Sequence, residues 1–143
     1  MLRFVYHALF EHADEGGIVV TFPDVPEAIT QGDDEGDARA MAEEALALAL
    51  LSYPERGLPL PKPKHRGAGW IPVFVGPEDA AKLAVLDAWR QLGISKNELA
   101  RRLGKDEKEV RRILDPMHPT KLPALEAALR ALGRRLVIGV EAA

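Results

Sequence analysis

The sequence predicts an α+β chain, a small antiparallel sheet with one helix followed by an all-helical region, and three observations lead there. Aromatic and β-branched residues fill short runs near the start, at Phe4, Tyr6 and Phe10 with period two and then at Ile18-Val19-Val20-Thr21-Phe22. Beyond Gly76 the apolar residues recur at helical spacing, punctuated by capping residues and glycines. Between these regions, spaced prolines in Gly57-Leu58-Pro59-Leu60-Pro61-Lys62-Pro63 remove backbone donors and hold the chain extended.

Within the first region, Asp14-Glu15-Gly16-Gly17 supplies the positive-φ residues of a hairpin turn, so the two flanking strands pair antiparallel. Pro23-Asp24-Val25-Pro26 stops the second strand, and Ala28-Ile29-Thr30-Gln31 is a short third strand closed by Gly32. Asp34 stands where an N-cap belongs, with Asp37 able to reach back as in a capping box. The helix it opens runs from about Glu35 to Tyr53, with Met41, Ala42, Ala45, Leu46, Ala49 and Leu50 as its buried stripe. Trp70 to Val75 is a further apolar segment, which Pro72 marks as an edge strand.

The second region opens at Gly76-Pro77-Glu78-Asp79, a helix start with proline near N1, and Ala81, Ala84, Val85, Ala88, Trp89 and Leu92 form the inner face of a helix ending near Leu92. Then follows Ser95-Lys96-Asn97-Glu98-Leu99-Ala100-Arg101-Arg102-Leu103-Gly104-Lys105-Asp106-Glu107-Lys108-Glu109-Val110-Arg111-Arg112-Ile113-Leu114. Ser95 and Glu98 make a capping box, Gly104 takes a sharp turn, Asp106 caps a second helix, and Val110, Ile113 and Leu114 point inward. This is the layout of a helix-turn-helix, whose second helix enters the DNA major groove. Lys108 and Arg111 are then the candidate base readers and Arg112 a backbone contact; Ser95, Lys96 and Asn97 are placed to hold a phosphate. Lys105 and Lys121 complete the candidate DNA-binding set. Leu122 to Leu132 is a last amphipathic helix, and Arg135-Leu136-Val137-Ile138-Gly139-Val140 is a terminal strand, expected to pair across a dimer two-fold or with the Trp70 segment. The expected domains are 1–64, a connector and edge strand at 65–76, and 77–143.

Composition narrows the function. The chain of 143 residues has no cysteine, which excludes disulfides, a thiolate nucleophile and Cys-ligated zinc. Its four histidines are scattered, so no metal site is expected. No apolar run is long enough to span a membrane and no signal peptide is visible, so a cytoplasmic location is expected. The net charge of -3 is unevenly divided. Residues 1–76 hold 6 Lys+Arg against 12 Asp+Glu, and residues 77–143 hold 13 against 10, the outline of a protein with two different partners. The acids near the start cluster in turns and caps instead of the middle of a strand, where two-metal nuclease ligands usually sit.

The stretch Gly17-Ile18-Val19-Val20-Thr21-Phe22-Pro23-Asp24-Val25-Pro26-Glu27-Ala28-Ile29-Thr30-Gln31-Gly32-Asp33, the exit Leu58-Pro59-Leu60-Pro61 and the helix-turn-helix opening Glu98-Leu99-Ala100-Arg101-Arg102-Leu103-Gly104-Lys105 together resemble the HicB family of type II antitoxins with a C-terminal helix-turn-helix. The resemblance spans nearly the whole chain. It implies a partial ribonuclease-H-like β-β-β-α-β domain that neutralises a HicA-like small basic toxin, an mRNA interferase that uses a histidine. It further implies a second domain that binds operator DNA and autorepresses the operon, in a dimer or dimer of dimers, with no catalysis and no cofactor. The candidate toxin-binding residues are Pro23, Asp24, Pro26 and Glu27 in the turn and Asp33, Asp34 and Asp37 at the helix start. Two alternatives stay open: a metal-dependent nuclease on the same scaffold, with Asp24, Asp33 and Glu44 as ligands, and a ligand-sensing transcription regulator.

Overall fold

The computed structural model describes Met1–Ala143, which divides into two compact units, Met1–Ala80 and Ala81–Ala143. In the first, β1 (Val5–His12), β2 (Ile18–Thr21), β3 (Ile29–Gly32), α1 (Glu35–Glu55) and β4 (Ile71–Phe74) follow in chain order. The strands form one antiparallel sheet in the order β3-β2-β1-β4. Gly16 and Gly17 take the positive φ values (95° and 81°) that let the β1–β2 hairpin turn, as their placement predicts.

Alternation decides which face is buried. Tyr6 and Ala8 of β1, Ile18 and Val20 of β2 and Val73 of β4 are buried, as are Ala38, Ala42, Leu46 and Leu50 of α1. The intervening residues Val5, His7 and Leu9 remain half-buried. Gly32 shows why small residues are needed where α1 meets β3. A Cβ there would lie 2.3 Å from the Ala38 nitrogen and 2.6 Å from its Cα, so the first turn of the helix rests directly on the strand. The proline-spaced stretch forms no helix, and Tyr6 ties it down by donating its hydroxyl to the Pro61 carbonyl at 2.6 Å.

The second helix, α2 (Pro77–Leu92), spans the boundary between the units; α3 (Lys96–Leu103), α4 (Glu107–Ile113) and α5 (Leu122–Ala131) follow it. Val85, Leu99, Val110, Leu125 and Ala128 are fully buried at the centre of the helical unit. Three residues join α3 to α4. Gly104, at φ 64°, ends α3 in the left-handed conformation, and the Lys105 amide donates back to the Ala100 carbonyl at 3.1 Å. Asp106 caps α4 by accepting from the Glu109 amide.

Three expectations need correction. Residues 134–143 form no strand, and the Trp70 segment pairs with β1 instead of with them. A strand exists only with a neighbour, and the helical unit offers no sheet edge to this tail, so its β-branched residues enter no strand ladder. Met41 is 37% exposed, because the buried stripe of α1 is displaced toward Ala47 and Leu51 and leaves Met41 on its rim. Leu92, in the last position of α2, is 46% exposed where the helix leaves the core.

Candidate functional site

The turn after β2 is held by long-range hydrogen bonds. Asp24 accepts from the Lys64 amide at 2.7 Å and the His65 amide at 2.9 Å through Oδ2, and its Oδ1 lies 2.6 Å from His65 Nδ1. Its side chain is only 6% exposed. Burial alone would raise the Asp24 carboxyl, but the amides of His65 and Lys64 and the His65 ring outweigh it and hold the group below its ordinary value of 3.8. The His65 ring in turn lies 5.6 Å from Trp70, tilted by 54°. Glu27, at the other end of the turn, accepts from the Tyr53 hydroxyl at 2.7 Å and from Arg56 at 2.8 Å, and Arg56 lies over the Tyr53 ring. The Tyr53 bond and the Arg56 guanidinium hold the Glu27 carboxyl low, and burial with the Glu27 bond pushes the Tyr53 hydroxyl up.

Asp24→Ala should therefore release the connector. The expected result is amide exchange at Lys64 and His65 faster by about 30-fold, since a hydrogen bond to a charged group contributes roughly 2 kcal/mol. The pH dependence has a definite sign. Because the folded carboxyl titrates below 3.8, its stabilising contribution is complete above that pH and is lost as pH falls through the folded value. Proton exchange followed across this range by NMR checks both statements.

At the start of α1 the acids are exposed and mutually ordered. Asp34 accepts from the Asp37 amide at 2.8 Å, and Asp37 reaches back one residue beyond the cap, accepting from the Asp33 amide at 2.9 Å where a capping box would use that of Asp34. Asp33, Asp34 and Glu35 border a shallow hollow of about 500 Å³ with Phe10, His12, Gly17, Ile18 and Ile71. Asp24, Asp33 and Glu44 do not converge into a metal-ligand group.

In the helical unit, Ser95 caps α3 by accepting from the Glu98 amide at 3.1 Å. The expected capping box is only half formed. Glu98 turns from the Ser95 amide to Arg101 (2.9 Å from Nε) and Arg102 (3.1 Å), because charge-assisted bonds to two guanidiniums outcompete one neutral amide. Arg101 first, then Arg102, holds the Glu98 carboxyl down to about 2. Lys96, Asn97, Lys108, Arg111 and Arg112 are exposed; Lys105 is half-buried in the turn and Lys121 stands exposed just before α5. Arg111 is 4.0 Å from Glu107 on its own helix.

Sequence reasoning missed the group that holds α4. Lys82 of α2 is 3% exposed, and its Nζ reaches the carbonyls of Ile113 (2.8 Å), Asp115 (3.0 Å) and Arg112 (3.1 Å) and the Thr120 hydroxyl (2.7 Å). The carbonyls lie at the C-terminal end of α4, where a cation is favoured; those of Arg112 and Asp115 also accept from the Asp115 and His118 amides. Burial pushes the ammonium down to about 8, against the opposing effect of Asp115. The available signal was a lysine inside the apolar stripe, at i-3 from Val85 and i-4 from Leu86. His65, Tyr53 and Arg56 were missed as well, since their partners lie far off in sequence.

No helix of the chain is long and apolar enough to cross a membrane. A family model described as a HicB-like antitoxin of bacterial toxin-antitoxin systems matches residues 5–84. Antitoxin HicB 2 of Photorhabdus laumondii is 41% identical over 131 residues, covering 92% of each chain. Antitoxin HicB of Escherichia coli is 38% identical over 92% of this chain and 95% of its own, and Antitoxin HicB of Pseudomonas fluorescens is 33% identical over 96% and 94%. With the match extending through both compact units, the chain belongs to the HicB-like antitoxins of bacterial toxin-antitoxin systems.

Proposed function

We propose that this antitoxin neutralises a HicA-like small basic toxin through its acidic N-terminal unit and represses its own operon through α3 and α4, acting without catalysis and as an oligomer. Family membership carries the antitoxin role, and the α3–α4 pair carries the repressor role. Its inner residues Leu99, Ala100, Val110 and Ile113 are buried while Lys96, Asn97, Lys108, Arg111 and Arg112 face solvent. That is the disposition by which a helix-turn-helix offers cations and a helix N-terminus to DNA. For the toxin, the candidate surface is Pro23, Pro26 and Glu27 of the turn, which the buried Asp24 carboxylate holds in place, with exposed Asp33, Asp34 and Asp37. An acidic face already fixed by its own hydrogen bonds meets a cationic partner with little ordering cost.

The two roles should separate by mutation. Arg111→Ala combined with Arg112→Ala is expected to weaken operator binding about 100-fold, at roughly 1–3 kcal/mol per lost contact. Lys96→Ala should lower the slope of log affinity against log salt by about 1, as expected for one phosphate contact. Protection of mRNA from the cognate toxin should be unchanged in both variants. Loss of that protection in a folded variant would refute the division of roles; fluorescence anisotropy on promoter DNA and an RNA-cleavage assay supply the two readouts.

A further inference from the structure

We propose that the arginines at the end of α5 form a second phosphate-binding site, which grips the DNA backbone beside the stretch taken by α3 and α4; the inference rests on the proposed repressor role. Residues 127–140 hold three arginines, Arg130, Arg134 and Arg135, and no carboxylate. None of the three belongs to the candidate set drawn from the helix-turn-helix. The fold gathers them. Gly133, at φ 77°, turns the chain at the end of α5, and the amides of Gly133 and Arg134 donate back to the carbonyls of Arg130 (3.0 Å) and Leu129 (2.8 Å). The three arginines and Gly133 line an open hollow of about 540 Å³.

Cations at a helix C-terminus have an ordinary role, since they complement its exposed carbonyls. Here Arg102 takes that role, its Nη1 donating to the Ala131 carbonyl at 3.1 Å. Arg130 pairs with Glu126 at 2.8 Å on the surface. The hydrogen bond of Arg134 goes to a neutral acceptor, Gln91 Oε1 at 2.9 Å, and Arg135 forms no ion pair. Three arginines against the one carboxylate bonded to them leave the hollow positive. Gln91 is itself held, donating Nε2 to Asp87 at 2.8 Å, so Arg134 is oriented before any ligand arrives. A planar guanidinium meets phosphate oxygens two at a time, and a rim of several suits a run of phosphates. The place of the hollow favours the DNA backbone as their source. Gln91 stands four residues before Ser95, at most about 14 Å along the chain, and one DNA strand carries a phosphate per roughly 3.4 Å of axis. A strand held at the start of α3 therefore passes within a few phosphates of Arg134.

Fluorescence anisotropy of the full-length protein on a duplex carrying its own promoter, and on a scrambled duplex of equal length, tests the site across a range of salt concentrations. Arg134→Gln combined with Arg135→Gln should lower the slope of log affinity against log salt by about 2 on both duplexes, because backbone contacts carry no sequence information. The corresponding pair of lysine substitutions should keep the parent slope, which charge sets, and bind more weakly for want of the fork. Gln91→Leu, which frees Arg134, should do the same. A charge-matched pair in the connector, Lys62→Gln with Arg66→Gln, should leave the slope at the parent value. An unchanged slope for the glutamine pair at 134 and 135, or an equal fall for the connector pair, would overturn the proposal. Inorganic tripolyphosphate separates the two sources of phosphate: micromolar binding that the glutamine pair abolishes, with an unchanged slope on DNA, assigns the hollow to a small anion and overturns the DNA reading. Equal affinity of the parent for both duplexes counts against the repressor role alone, since the change of slope on the scrambled duplex still carries the site. A parent that binds neither duplex overturns both.

Discussion

Lys82→Ala is expected to destabilise the helical unit by about 3 kcal/mol, read from urea unfolding, which is large against ordinary stabilities of roughly 5–15 kcal/mol. The loss is not that of a surface charge. Removing the ammonium takes its donor from the Ile113 carbonyl, removes one of several partners from the Arg112 and Asp115 carbonyls and the Thr120 hydroxyl, and leaves a void where the lysine stem was packed. Lys82→Met retains the stem volume and should recover part of the loss. The C-terminal turn of α4 should fray in both variants. Under the proposed repressor role, operator affinity then falls while toxin neutralisation persists.

Lys82 carries a pH signature of its own. Its folded pKa of about 8 is below the ordinary 10.5, so between these values the unfolded chain binds more protons than the folded one. The contribution of this group to stability is therefore lowest below pH 8 and rises with pH up to about 10.5. Unfolding of the parent and of Lys82→Met at pH 7 and pH 9.5 should show the parent gaining relative to the variant. A gap that narrows against the parent would contradict the assigned environment.

Gly32→Ala should have an effect of similar size in the first unit, about 3 kcal/mol, at the upper end of ordinary overpacking. The added methyl meets the backbone of Asp37 and Ala38 at 2.3–2.8 Å, and no side chain can swing aside to admit it. Either β3 or the first turn of α1 must move, and the ordered carboxylates Asp33, Asp34 and Asp37 move with it. A lowered melting temperature together with weaker toxin binding is the expected pair of results. Retention of the parent melting temperature would show that the contact is looser than its geometry indicates.

What was legible in the sequence was local. The glycines of the β1–β2 turn, the Asp34, Ser95 and Asp106 caps and Gly104 each act within a few residues, and each stands where its chemistry predicts. The order β-β-β-α-β was legible too, because period two gives way to helical spacing and back again. What depends on distant partners was not. Asp24 looks like any turn aspartate until residues 64 and 65 are brought against it, and the place of Lys82 in the apolar stripe of α2 marks it as unusual without naming the end of α4 as its partner. The tail reads as a strand because its composition is that of a strand, but composition does not supply a neighbour.

The sheet is finished late in synthesis. β1 is an inner strand whose second edge is covered by β4, with Val5 opposite Phe74, and β4 follows α1 and the whole proline-spaced connector. Until residues 71–74 are free to pair, β1 presents a bare edge. A nascent chain stalled or clipped before Ile71 would carry that edge permanently, making premature termination a direct route to aggregation or proteolytic removal of this protein.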